Sequence, residues 1–162
     1  PVNYSPAHPY MYEIGNGPGL RDEALAPYPR SKYSVKKHIQ EYYAIITHLD
    51  EQVGKIISHL ENKKLLENTY IIFTSDHGLS VGQHGLLGKQ SLYDHSIRVP
   101  MIISGPKIKA NSSFNSDVYL QDIVPTTLDL ANISVPDEMD FRSFYKLLIN
   151  GKKEKLVNQK NL

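Results

Sequence analysis

The sequence predicts an α/β protein built in layers, and three observations support this prediction. A long amphipathic helical pattern, two short apolar runs rich in β-branched residues and a second, shorter helical pattern follow one another along a chain of 162 residues. The apolar runs lack the polar alternation of half-exposed strands, which is typical of strands that helices cover on both faces. We therefore expect a layered sandwich with a mostly parallel central sheet.

The first 33 residues predict an extended loop region. They are rich in proline, glycine and tyrosine, as in Gly15-Asn16-Gly17-Pro18-Gly19 and Ala26-Pro27-Tyr28-Pro29. These are turn signals that leave little room for a long helix. A loop this long inside a compact domain is usually functional, disordered or part of a larger protein.

The longest helix is predicted to begin near Ser34, a residue type that caps helix N-termini. Apolar residues then recur in alternating steps of three and four, which places them on one face of about eight helical turns. These residues are Ile39, Tyr42, Ile46, Leu49, Val53, Ile56 and Leu60. Lys63 and Lys64 suit the negative end of the helix dipole.

The remaining elements complete a core that we place at residues 34–150. The runs 69–74 and 99–104 predict strands buried on both faces, and Pro100 lies near a strand start, where its missing N–H is tolerated. Residues 122–130 predict a helix with Pro125 in its first turn. The charged tail, residues 151–162, is predicted to be frayed.

Composition excludes several classes of function. The formal net charge of +1 argues against a nucleic-acid partner that is bound through a basic surface. The chain has no cysteine, so it contains no disulfide, thiolate metal site or cysteine nucleophile. No stretch approaches the roughly 18 apolar residues that a membrane span requires.

One polar segment carries residues suited to chemistry. Asp76 and His77 directly follow the first predicted strand, where α/β sheets collect their ligands, and Lys89 lies further along the same glycine-rich segment as His84. A carboxylate, an imidazole and a lysine together suit a divalent cation and an oxyanion. Simpler interpretations remain: Asp76 capping a turn, His84 hydrogen-bonded in a loop, and Lys89 solvated at the surface.

The segment resembles the sulfatase family over five ordered motifs. Sulfatases carry T-S-D-[HN]-G after a core strand, then G-[EQ]-H-G, G-K and S-x-R-V-P. The matching residues are Thr74-Ser75-Asp76-His77-Gly78, Gly82-Gln83-His84-Gly85, Gly88-Lys89 and Ser96-Ile97-Arg98-Val99-Pro100. The preceding helix and the later Asp122-Ile123-Val124-Pro125-Thr126 are similar to family helices. The resemblance covers residues 34–150 and extends to the N-terminal loop, which is then an active-site loop region.

This resemblance implies an alkaline phosphatase-like fold and the hydrolysis of a sulfate ester, carried by a small molecule or a glycan. Asp76 and His77 match two ligands of the family's calcium, although calcium prefers oxygen ligands over imidazole nitrogen. Lys89 matches the lysine that contacts the sulfate. His8, in Ser5-Pro6-Ala7-His8-Pro9-Tyr10, resembles the histidine that contacts and protonates the leaving oxygen. His48, His59 and His95 receive no role.

The family's nucleophile is not found in this sequence. Sulfatases use a formylglycine made from Cys or Ser in [CS]-x-P-x-R, and Tyr28-Pro29-Arg30-Ser31 fails that pattern in order and spacing. The formylglycine and two further aspartates are expected upstream of Pro1. We therefore expect residues 1–162 to be an incomplete, partial sulfatase catalytic domain that needs its missing N-terminal half and is inactive alone.

Two alternatives remain open at this stage. A phosphonate monoester or phosphodiester hydrolase of the same superfamily would share the D-H-G motif, and a sulfatase-like binding fragment would lack catalysis. Family resemblance implies a periplasmic, extracellular or lysosomal location. A partial domain is also expected to expose a sheet edge and apolar faces.

Overall fold

A computed structural model describes residue 1 and residues 3–150, and it confirms the long helix. Helix α1 spans Lys32–Asn62. Its N-cap is Ser31, whose side chain accepts a hydrogen bond from the backbone N–H of Ser34. The prediction of Ser34 as the cap was therefore wrong: two serines stand three residues apart, and the first of them turns its hydroxyl onto the helix start. Lys63 forms the C-cap.

The apolar face of α1 lies largely exposed. Val35, near its start, is the helix's buried residue, at 2% exposure. Ile46, Leu49 and Ile56, from the middle of the predicted stripe, are 43%, 47% and 62% exposed. The stripe that the sequence places on one side is thus present, and the described residues leave much of it uncovered, as expected for a partial domain.

Two short strands form the sheet. β1 spans Ile71–Thr74 and β2 spans Met101–Ser104, and they pair in a two-stranded antiparallel sheet. The predicted burial on both faces is wrong for this chain, since Phe73 is 36% and Ile102 is 61% exposed. Apolar composition allows burial of a strand, but only a neighbouring layer produces it, and no described element covers these side chains.

Between the strands lie the glycine-rich segment and a short helix, α2, at Asp94–Ile97. After β2 come α3 at Ile123–Leu130 and α4 at Tyr145–Asn150. Pro125 occupies the first turn of α3 as predicted, and a 3-10 turn, Leu120–Asp122, precedes that helix. α3 packs against α4 and this turn.

The chain divides into two compact units. One contains Pro1–Glu67 and Ile72–Ile102, and the other contains Asn68–Ile71 and the described residues that follow Ile102. The N-terminal loop region lies in the first unit, and its described residues form turns and one 3-10 helix, Glu23–Leu25, as the composition predicts. Within the described ranges, no helix is long and apolar enough to cross a bilayer. The tail predicted to be frayed lies outside the described residues.

Candidate active site

The Asp76-His77-Gly78 turn follows directly on β1, as the sequence predicts, and it is packed against the segment before β2. The backbone N–H of Gly78 donates to the carbonyl oxygen of Ser96 at 2.9 Å. A β-carbon at Gly78 would lie 1.9 Å from the carbonyl oxygen of His95, far inside contact distance. Glycine is therefore required here by close backbone approach, which fixes the direction in which Asp76 and His77 leave the strand.

The structure brings Asp76, His77 and Lys89 together. His77 Nδ1 lies 3.0 Å from the carbonyl oxygen of Gly78, and a carbonyl only accepts, so Nδ1 carries the proton. Nε2 then presents its lone pair, to which the Lys89 ammonium donates at 2.5 Å. Asp76 Oδ1 lies 3.5 Å from the same Nε2. Three side chains that are up to 13 positions apart in sequence thus meet at one nitrogen atom.

Asp76 and His77 offer donor atoms of the kind that bind a divalent cation. Metal-binding histidines commonly donate their second ring N–H to a carbonyl, which is the arrangement of His77. The carboxylate of Asp76 is 81% exposed and offers the oxygen ligands that calcium prefers. The Lys89 ammonium, itself a cation, lies beside the same His77 Nε2 atom and close to the Asp76 carboxylate. Over the described part of the chain, no group of three or more His, Cys, Asp or Glu residues could hold a metal ion.

His8 lies in a different contact group. It is 6% exposed, and its Nδ1 accepts the backbone N–H of Tyr10 at 3.1 Å. Nε2 therefore carries the proton and lies 2.8 Å from the hydroxyl of Tyr93. Within the described ranges no hydrogen bond joins His8 to Asp76, His77 or Lys89. The structure thus gives His8 a proton-bearing nitrogen, and it places that nitrogen against Tyr93.

Tyr93 and two histidines form a ring cluster that sequence reasoning missed. The His84 ring stacks on Tyr93 with centroids 4.2 Å apart and an interplanar angle of 12°. His95 lies 5.5 Å from the Tyr93 ring, and His84 Nε2 lies 2.7 Å from Asn3 Nδ2. The open question over His84 is resolved toward a hydrogen-bonded loop residue. Tyr93, an aromatic residue between Lys89 and the Arg-Val-Pro motif, is the sequence feature that could have indicated this cluster.

A buried ion pair holds the backbone that precedes Lys89. Glu23 accepts hydrogen bonds from the backbone N–H groups of Leu87 and Gly88, at 3.1 and 2.8 Å. Arg30 donates from Nη2 to Glu23 and from Nε to the carbonyl oxygen of Gly85 at 3.0 Å. This pair could not be recognised from the sequence, because charged residues in a loop usually remain in water.

Comparisons with known proteins agree with this geometry. The family model described as Sulfatase matches residues 1–133. The chain belongs to the sulfatase family. Mouse arylsulfatase K is 42% identical over 110 residues, which are 68% of this chain and 20% of that protein. The sulfatase chain therefore spans about a fifth of the length of this curated relative.

Solved structures extend the comparison to the fold. A structure described as a complex with its substrate D-glucosamine-2-N,6-O-disulfate superposes with a TM-score of 0.72 at 32% identity, over 87% of this chain and 28% of that chain. A phosphonate monoester hydrolase of Agrobacterium radiobacter superposes with a TM-score of 0.74 at 29% identity, over 84% and 29%. The sulfatase chain therefore superposes on part of the alkaline phosphatase-like fold of these neighbours, of which it covers less than a third.

Proposed function

We propose that this sulfatase chain supplies the metal- and sulfate-binding part of an active site that hydrolyses a sulfate ester of a carbohydrate. The convergence of Asp76, His77 and Lys89 on one point carries the proposal. It gathers a carboxylate, an unprotonated imidazole nitrogen and a primary ammonium at the end of a strand. The carbohydrate is suggested by the solved relative that binds a glucosamine disulfate.

Each residue takes a distinct role in this proposal. Asp76 and His77 would hold a calcium ion, which when bound would polarise a sulfate oxygen. Lys89 cannot share the Nε2 lone pair with that ion, so it donates instead to a sulfate oxygen and offsets its charge. His8, whose Nε2 carries a proton, delivers that proton to the oxygen of the leaving alcohol.

The rest of the active site comes from residues outside this sequence. A chain without cysteine and without a Ser-x-Pro-x-Arg motif cannot supply the formylglycine nucleophile. The nucleophile and the remaining calcium ligands would come from the other part of the catalytic domain. The same part would complete a mostly parallel central sheet and cover the exposed faces of β1, β2 and α1. We place the whole protein in the periplasm, outside the cell or in the lysosome.

The test uses the protein that carries this chain together with the formylglycine segment. Asp76→Ala and Lys89→Ala should each lower kcat/KM for D-glucosamine 6-sulfate by roughly 100-fold or more, the usual cost of losing a group that stabilises transition-state charge. Asp50→Ala and Lys55→Ala, on the exposed surface of α1, serve as matched controls. Equilibrium calcium binding, measured by calorimetry, should weaken in Asp76→Ala and remain unchanged in Asp50→Ala. Equal activity in all four variants would exclude this site.

Phosphonate monoester hydrolysis is a second candidate, favoured by the structural match to the Agrobacterium enzyme. Sulfate monoesters carry one negative charge and phosphonate monoesters also carry one, so Lys89 and calcium suit both. Side-by-side assays with p-nitrophenyl sulfate and p-nitrophenyl phenylphosphonate separate the two. A higher kcat/KM for the phosphonate ester would replace the sulfatase proposal with this one.

A further inference from the structure

We propose that a pocket beside His8 binds the carbohydrate part of the sulfate ester, an inference that rests on the function proposed above. The pocket has a volume of ≈ 370 Å³. Its walls come from three separate stretches of the chain and include Asn3, His84, Leu92, Tyr93, Asp94 and His95. We call it the Tyr93 pocket. No role in substrate recognition follows for these residues from the sulfatase motifs.

The position of the pocket follows from two contacts. The Tyr93 hydroxyl lies 2.8 Å from His8 Nε2, the atom that holds the proton for the leaving oxygen. His95, another lining residue, is packed against the Asp76-His77 turn, since its carbonyl oxygen lies against Gly78. The Tyr93 pocket therefore lies next to His8, the proposed acid, because the Tyr93 side chain both lines the pocket and contacts His8 Nε2. An alcohol whose oxygen reaches His8 has the rest of its carbon skeleton next to Tyr93.

The lining suits a hydroxylated ring. Tyr93 and His84 stack almost parallel and offer a flat aromatic surface, against which the C–H face of a sugar can pack. Leu92 is 89% exposed and extends the apolar wall. Asn3 and Asp94 add an amide and a carboxylate, which donate to or accept from hydroxyl groups. Apolar walls with a few polar groups are typical of small-molecule sites.

Two other interpretations of the area are weaker. The histidines of this area do not form a second metal site, because the described residues contain no group of three or more His, Cys, Asp or Glu side chains that could hold an ion. A larger depression of ≈ 550 Å³ runs along α1, but all its lining residues come from one face of that helix. Side chains of a single exposed helix face do not converge on a ligand, whereas those of the Tyr93 pocket do.

The test measures substrate preference in the protein that carries the formylglycine segment. Two variants remove the walls: Leu92→Ser shortens an exposed side chain, and His84→Asn removes the stacked ring while keeping a residue type that tolerates the φ of 53° at this position. Each should lower the ratio of kcat/KM for D-glucosamine 6-sulfate to kcat/KM for p-nitrophenyl sulfate by about tenfold, the scale of one lost pocket contact. Leu49→Ser, on exposed α1, is the matched control and should leave the ratio unchanged.

The outcomes separate this inference from the proposed function. A wild-type enzyme that hydrolyses both esters, with a ratio that neither wall variant alters, would overturn the Tyr93 pocket and leave the sulfatase proposal standing. A wild-type enzyme that hydrolyses neither ester would overturn both. Because Leu92 is so exposed, its replacement should not disturb folding, and a thermal unfolding curve for each variant checks this.

Discussion

Glu23 and Arg30 form an ion pair with Oε2 and Nη2 2.5 Å apart, and their side chains are 1% and 0% exposed. Every charged group of the pair has further partners. The carboxylate also accepts the hydroxyl of Tyr28 at 3.0 Å, and the guanidinium donates to the carbonyl oxygen of Ala26 at 2.6 Å. Because Glu23 also holds the backbone of Gly88, the pair fixes the segment from which Lys89 extends.

We predict that Glu23→Gln destabilises the protein by roughly 3–5 kcal/mol, since it leaves the Arg30 charge buried without its counter-ion. The measurement is the free energy of unfolding in urea. Asp94→Asn is the matched control, because Asp94 and its partner Arg98 are both 78% exposed. That change should cost less than about 1 kcal/mol. Equal losses in the two variants would mean that burial does not set the strength of the inner pair.

Gly78→Ala is expected to destabilise the protein by about 1–3 kcal/mol, because the new β-carbon would have to displace the backbone of His95. Gly54→Ala is the matched control within α1, where an added β-carbon meets nothing within 4 Å. The Gly54→Ala variant should be more stable than the wild-type protein by about 0.5–1 kcal/mol, because alanine loses less backbone entropy on folding than glycine does. Urea unfolding of both variants measures the difference. A Gly78→Ala protein as stable as wild type would contradict the close packing of this turn.

Local signals in the sequence predicted much of the fold. The period of α1 and the proline in the first turn of α3 depend on neighbouring residues, so both could be recognised without knowledge of the rest of the chain. The N-cap of α1 is Ser31 and not the predicted Ser34, because local preference alone cannot choose between two serines. Burial of β1 was predicted wrongly because it depends on what packs against the strand.

The candidate site likewise contains residues that local motifs predicted and contacts that they did not predict. Asp76, His77 and Lys89 were found through motifs in one segment, and the structure places them together. The contact of His8 with Tyr93 joins residues 85 positions apart, and Glu23 reaches Gly88 across 65 positions. Such contacts arise only from the path of the loop, for which a single sequence has no periodic signal.

Thr126→Val should destabilise the protein by about 1–3 kcal/mol. The Thr126 hydroxyl donates to the carbonyl oxygen of Asp122 at 2.6 Å and accepts the backbone N–H of Phe144 at 3.0 Å. Thr126 is 0% exposed, so valine would leave that N–H buried without an acceptor.

Thr127→Val is a matched control for this change, because the exposed Thr127 hydroxyl makes the corresponding bond to the carbonyl oxygen of Ile123 at 2.8 Å. Its bond is accessible to water, so we expect a change within about 0.5 kcal/mol. Chemical denaturation of both variants gives the comparison. If Thr127→Val were the more costly of the two, the hydroxyl of Thr126 would not be the link between α3 and the residues before α4.

We predict that His95 makes the stability of the protein depend on pH. Burial lowers the pKa of His95, and the neighbouring His84 lowers that pKa further, against opposing effects of Asp94 and Glu23. In addition, His95 Nε2 is buried and has no hydrogen-bond partner among the described residues, so a proton placed there would lack an acceptor.

The direction of this pH dependence follows from the number of protons that His95 binds in the folded and in the unfolded state. Below its ordinary pKa of about 6.5, His95 binds a proton in the unfolded chain more readily than in the folded one. The contribution of this group to stability is therefore complete above about pH 6.5, and it is lost as the pH falls from that value through the lower pKa of the folded state. We therefore expect the urea concentration at the unfolding midpoint of the wild-type protein to decrease as the pH is lowered from about 8 to about 5.

Two variants assign this loss to His95. His95→Asn keeps a hydrogen-bonding group near Ser96 but does not titrate, so its urea midpoint should fall less than that of the wild-type protein over the same pH interval. His59→Asn, on the exposed surface of α1, should follow the wild-type curve. Unchanged pH dependence in His95→Asn would place the titrating group elsewhere. A smaller fall in His59→Asn than in His95→Asn would do the same.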